Sequence, residues 1–192
     1  MRASEGAGWR VAVNAPRALA VALHLRDLAG VTHEASPALP PAAPSVERDH
    51  HVRGGAELDA EWNAWWGAML PRSAEALNPL HLHEAMPPAD APALRTLLTT
   101  QGERARAWAG ERMRAHVEAM MRQPLPVLEI VQAVEREQGR PTRPFTVRVD
   151  EVPVAGIGAW AVNSTHLLVS SDLLRNREGF VEALLPVVER LA

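Results

Sequence analysis

A chain of 192 residues, 47% of them apolar, is long enough to bury one substantial core, or one core with a small appendage. A formal net charge of −3 excludes bulk electrostatic attraction to nucleic acid or to an anionic membrane. The absence of cysteine excludes a disulfide framework, a thiolate metal site and a thiol nucleophile.

All 20 basic residues are arginines, and the chain has 16 prolines and no tyrosine. This is the composition of a bacterial-type protein encoded by GC-rich DNA, and it accounts for the arginines without any need for bidentate recognition. No apolar run reaches the roughly 18–20 residues that span a bilayer. The longest, from Ala18 to Leu25, is flanked by Arg17 and by Arg26 and Asp27. A cytoplasmic location is the expectation.

Residues 9–13 alternate, with Trp9, Val11 and Val13 on one side, and predict a short strand. Pro16 precedes a helix from Arg17 to Ala29 that Gly30 ends. Its apolar residues run almost all round, so His24 within it reads as a core histidine donating to a backbone carbonyl. Residues 36–55 are rich in Pro and Ala and cannot sustain a helix, because proline lacks the amide donor. They read as a linker or mobile loop.

Leu58 to Leu70 predicts a helix stopped by Pro71. Leu58, Trp62, Trp65, Trp66 and Met69 fall within a stripe about 100° wide at 100° per residue. Residues 71–91 are loop-like, and a long helix follows from Ala91 to Arg122. Leu94, Leu97, Leu98, Ala105 and Trp108 share its first stripe, whereas Met113, Val117 and Met120 define a second, rotated one. The helix therefore kinks near Gly102 or Gly110, or changes packing partner there. His116 reads as a second core histidine. Val127 to Gln138 is a further helix with Gly139 at its C-terminal cap.

Beyond Gly139 the pattern changes to period two. Phe145, Val147 and Val149 alternate with Thr146, Arg148 and Asp150, and residues 157–162 and 166–170 predict two more strands around a turn at 163–165. Ser171 or Asp172 is placed to cap a short helical turn. Glu178 to Leu191 reads as a terminal helix that Pro186 kinks or shortens.

The expected fold is α+β: a predominantly helical bundle with a small, mainly antiparallel sheet and a terminal helix at the C-terminal end. The strand near Trp9 can join that sheet. Along the chain this gives an N-terminal strand and helix (1–35), a Pro/Ala-rich loop or linker (36–55), a helical region (56–139) and a small α+β unit (140–192), within one domain overall.

Three groups carry candidate chemistry. His81 and His83, two apart in a segment bounded by prolines, point the same way if extended and can reach one divalent metal ion. His50 and His51 can supply further ligands, with Asp49 or Glu84 as a carboxylate. The same histidines, in surface loops, can equally be solvated. Trp62, Trp65 and Trp66 can form core, or a surface for a protein partner or a second copy of the chain. Five arginines between Arg104 and Arg122 can contact phosphates, but Glu103, Glu111 and Glu118 interleave with them, which fits a solvated face laced with ion pairs. Asp150 and Glu151 form a carboxylate pair at a strand end, suited to acid–base work or to a turn. There is no phosphate loop, no Gly-x-Gly-x-x-Gly and no hydrolase elbow around Ser164, Ser170 or Ser171.

The stretch from Ala159 to Leu174, followed by the terminal helix, resembles the strand hairpin that leads into the active helix of zincin-type metallopeptidases. That resemblance implies a hairpin, a short Leu-rich turn and a helix packed on the sheet. The helix lacks His-Glu-x-x-His and contains no histidine, so no metal ligand or catalytic base transfers to this chain. The functional expectation is a non-catalytic interaction or assembly protein with no resident cofactor. The alternative is a metal-binding protein or metal-dependent enzyme using the histidine loops.

Overall fold

The computed structural model describes residues 8–32, 34, 36–52, 54–75 and 87–192, with the backbone alone for 72–75. In chain order the elements are β1 (Trp9–Asn14), α1 (Arg17–Ala29), α2 (Ala56–Glu75), α3 (Pro92–Arg122), α4 (Val127–Gln138), β2 (Phe145–Val152), β3 (Ala159–Asn163), β4 (His166–Ser170), α5 (Ser171–Arg175) and α6 (Arg177–Leu191). The class is α+β, with helices dominating a small open sheet.

The strands lie in the order β1-β2-β4-β3. Here the expected pairing sense is corrected. β1 runs parallel to β2, and β2 parallel to β4; β3 and β4 alone are antiparallel. Alternation tells which residues share a face but not which strand lies beside which. β1 and β2 are separated by four helices, which permits the parallel arrangement. β3, reached from β2 by a short loop, pairs not with β2 but with the far side of β4.

The two faces of the sheet bury different cores. Phe145, Val147 and Val149 of β2 join Leu167 and Val169 of β4 against α4, α5 and α6. Val152 and Leu168 point the other way, into a cluster with α1, α2 and α3. α1 is the centre of that second cluster, with ten of its residues buried. Gly30 ends it in the left-handed region at φ 65°, returning its N–H to Arg26 and Asp27.

The Pro/Ala segment is pinned, not a free linker. Arg26, 4% exposed, donates from Nη1 to the Leu39 carbonyl at 3.1 Å and from Nη2 to the Pro40 carbonyl at 2.7 Å. Asp27 holds Arg26 Nε at 2.6 Å and accepts the Ala42 N–H. Ala42 forms a β-bridge with Val154. Proline removes donors but leaves carbonyls without helical partners, and a buried guanidinium beneath them uses those carbonyls.

The expected stop at Pro71 does not end its helix, and the early end, one of two expectations for Pro186, does not occur. α2 runs through Pro71 and α6 through Pro186. Each loses one backbone bond, but Met69 and Leu70 before the first, and Leu184, Val187 and Val188 around the second, are anchored in the core. α3 is continuous over 31 residues. Its first half buries Leu94, Leu97, Ala105 and Ala109 in the α1 cluster, whereas Met120 packs against the opposite one, so the two stripes face two partners. No helix among the described residues is long and apolar enough to cross a membrane.

Candidate functional site

The densest polar chemistry lies at the end of β2. Parallel pairing puts Asn14 beside Asp150, and Arg148 opposite His166. Asp150 Oδ2 accepts from Arg148 Nε at 2.7 Å and from His166 Nε2 at 2.9 Å, while Asn14 Nδ2 donates to Oδ1 at 3.4 Å. Asp150 is 0% and His166 1% exposed. If Nε2 carries the proton that Asp150 accepts, His166 Nδ1 is a bare acceptor, and it is buried with no hydrogen-bond partner. This arrangement neutralises a buried carboxylate and fixes an imidazole, but it presents almost no surface to a solute.

Glu151 points to the opposite face and meets His116 Nδ1 of α3. The pair ties the long helix to the strand end. Beside it, Pro16, Arg17, Arg112, Met113, Glu151 and Pro153 surround a cleft with room for about one water. Asp150 and Glu151 are therefore neither turn formers nor a cooperating carboxylate pair. They sit back to back in a strand, each with its own histidine.

His24 is buried as expected, but the carbonyl bond is not formed: both its nitrogens lack partners. Its ring lies 5.3 Å from Trp108. Burial, helped by the Arg104 charge and opposed by Asp27, lowers its pKa to about 4. His116, expected to bond a carbonyl too, meets a carboxylate instead.

Trp62, Trp65 and Trp66 are 0%, 3% and 0% exposed. Trp62 and Trp66 stack with ring centroids 5.4 Å apart, and Trp62 Nε1 donates to the Ala22 carbonyl at 2.9 Å. Within the folded chain the stripe is core beneath α1, so it is corrected as an open partner surface. His50 and His51 are both exposed. His81 and His83 lie outside the described residues. Among the described residues no group of three or more His, Asp or Glu is placed to hold a metal ion. The α3 arginines are laced with acids and an aromatic ring: Arg122 reaches Glu118 at 3.3 Å, and Arg112 pairs with Glu111 at 3.5 Å while lying over Trp108.

A different surface stands out. Met121 is 80%, Leu128 55% and Val117 48% exposed. All three lie where the last turns of α3 lead into the first turn of α4. The rotated stripe on α3 pointed to Val117. It missed Met121, because Met120 beside it satisfies the same apolar pattern and is the one that packs inward. No family model, curated protein or solved structure matches the chain.

Proposed function

We propose that this chain is a non-catalytic interaction or assembly protein, and that it engages its partner through the corner between α3 and α4. The observation that carries this reading is the exposure of Val117 and Met121 one turn apart on α3, and of Leu128 in the first turn of α4, in a molecule that covers its tryptophans of α2 almost completely. Single exposed apolar residues are ordinary; Val117 and Met121, one turn apart on one face of α3 and including an adaptable methionine, favour contact with another surface.

A photo-crosslinking side chain placed at Met121 in the full chain tests it. Discrete adducts are expected in cells from Met121 and not from Arg95, an exposed position near the other end of the same helix. Equal labelling at both positions, or none at either, would sink the reading.

A further inference from the structure

We infer that the partner of this corner is a second copy of the chain, docked by antiparallel pairing of the C-terminal halves of α3 about a two-fold axis near Val117. The inference rests on the interaction reading above and adds the identity of the partner.

The exposed positions over this half-helix are Glu111, Arg114, Val117, Glu118, Met121 and Arg122. At about 100° per residue, Val117 and Met121 lie roughly 40° apart, and half-buried Met113 extends their strip by one turn. Glu111, Arg114, Glu118 and Arg122 fall in a band of about 80° along one flank of that strip. When two identical helices pair antiparallel about a two-fold axis, each flank meets its own reversed image.

The order of charges along the flank is acid, base, acid, base. Reversed, it is base, acid, base, acid, so opposite signs meet throughout. Glu111 then faces Arg122 of the second copy, and Arg114 faces Glu118. A parallel pairing would instead bring this flank against the opposite one, which carries His116 and Met120 and no complementary order of charges.

The apolar strip requires the same axis. Met113 meets Met121, and Val117 meets itself. The midpoints of the charge pairs and of the apolar pairs all fall between positions 116 and 117. One residue of helix rise, about 1.5 Å, therefore accommodates both sets at once. The intrachain pair Arg122–Glu118 does not compete strongly: its side chains are 79% and 63% exposed, and exposed pairs of this kind contribute little. The contact is short, so the association is expected to depend on concentration.

The absence of cysteine makes a direct test possible. In Val117→Cys the single thiol lies beside the axis, close enough for a disulfide between copies. Mild oxidation should give covalent dimer at least about tenfold faster than in Arg95→Cys. Sedimentation at low salt should show association weakened about fivefold or more by Arg114→Glu and by Glu118→Arg, each of which opposes like charges. The double variant Arg114→Glu/Glu118→Arg should return to within about twofold of the parent.

A chain that stays monomeric, with no preferential cross-link at 117, overturns the second copy as partner. A dimer that ignores the charge swaps, or cross-links equally at Arg95, overturns this pairing. The Met121 adducts separate the two claims. Adducts at twice the 20.9 kDa chain mass support both, adducts of another mass without a cross-link at 117 leave only the interaction reading, and no adducts overturn that reading.

Discussion

The side of the sheet covered by α4, α5 and α6 packs Val127, Ile130, Val131 and Phe180 against Phe145, Val147 and Val149. The side facing α1, α2 and α3 packs leucines and tryptophans too, but its interior also takes in His24, Arg26, Asp150 and His166, none more than 4% exposed. The first core is held mainly by shape and by area removed from water, with the Glu151–His116 pair confined to the strand end. The second depends in addition on each buried charge meeting one particular partner. A core of the first kind tolerates volume-conserving change; a core of the second kind fails sharply when one member of a pair is removed.

The largest effect that separates the two sides is expected at Asp150. Asp150→Ala leaves Arg148 and His166 buried without their carboxylate and should cost about 3–5 kcal/mol in urea unfolding. Phe180→Ala, on the hydrocarbon side, should cost a similar 3–5 kcal/mol through the cavity it leaves. The two losses differ in how they can be repaired. Adding Arg148→Met to Asp150→Leu removes both charges and should recover most of the stability, whereas no partner deletion refills the hole at Phe180. A cost below about 1 kcal/mol for Asp150→Ala would remove the distinction between the sides.

The same difference explains what the sequence revealed. α4 was legible almost to the residue, because Val127, Ile130, Val131 and Val134 recur at helical spacing and Gly139 closes the helix at φ 66°. β2 was legible as alternation. Its neighbours were not, because alternation is indifferent to whether the adjoining strand is parallel. Arg148 and Asp150 are two apart on one face of β2, but other buried polar contacts join residues far apart in the chain: Asn14 and Asp150 are 136 positions apart, and His116 and Glu151 are 35. No local pattern marks such partners. The Trp stripe was legible as a stripe, but whether it is covered depends on where α1 lies, and periodicity does not place one helix on another. The exposed corner at Met121 was half legible, since the spacing that marks Met120 as apolar cannot say which of two adjacent methionines turns inward.

A smaller effect, on the charge-bearing side alone, comes from His24. Its pKa of about 4 in the fold lies below the ordinary imidazole value of 6.5. Above pH 6.5 the imidazole is neutral whether folded or not, and folding loses nothing. As pH falls below 6.5, the unfolded chain takes up a proton that the folded chain refuses, so stability declines until about pH 4. The shift corresponds to about 3 kcal/mol across that window. His24→Leu removes two unpartnered nitrogens and should be at least as stable as the parent at pH 7. Its stability should fall less between pH 6.5 and 4, and subtracting the two curves cancels the other titrating groups. Identical slopes in denaturant titrations across that range would show that His24 does not stay neutral inside.

The smallest effect compares the same capping chemistry in two settings. Ser170 caps α5 by accepting the Leu173 N–H at 3.2 Å, and its hydroxyl oxygen also accepts the Gly158 N–H at 3.1 Å. It is 0% exposed, so Ser170→Ala leaves two donors with no water close by and should cost about 2 kcal/mol. Asn176 caps α6 through the Gly179 N–H at 3.0 Å, but it is exposed. Water can replace its side chain, and Asn176→Ala should cost about 0.5–1 kcal/mol. Hydrogen exchange can locate the loss. Opening should spread from Leu173 to the Gly158 loop in the first variant, and stay within the first turn of α6 in the second. Equal costs would mean that burial does not set the value of a cap here. The penalty at Asp150 would then have to come from charge alone, not from the general expense of leaving a polar group unpaired inside the sheet.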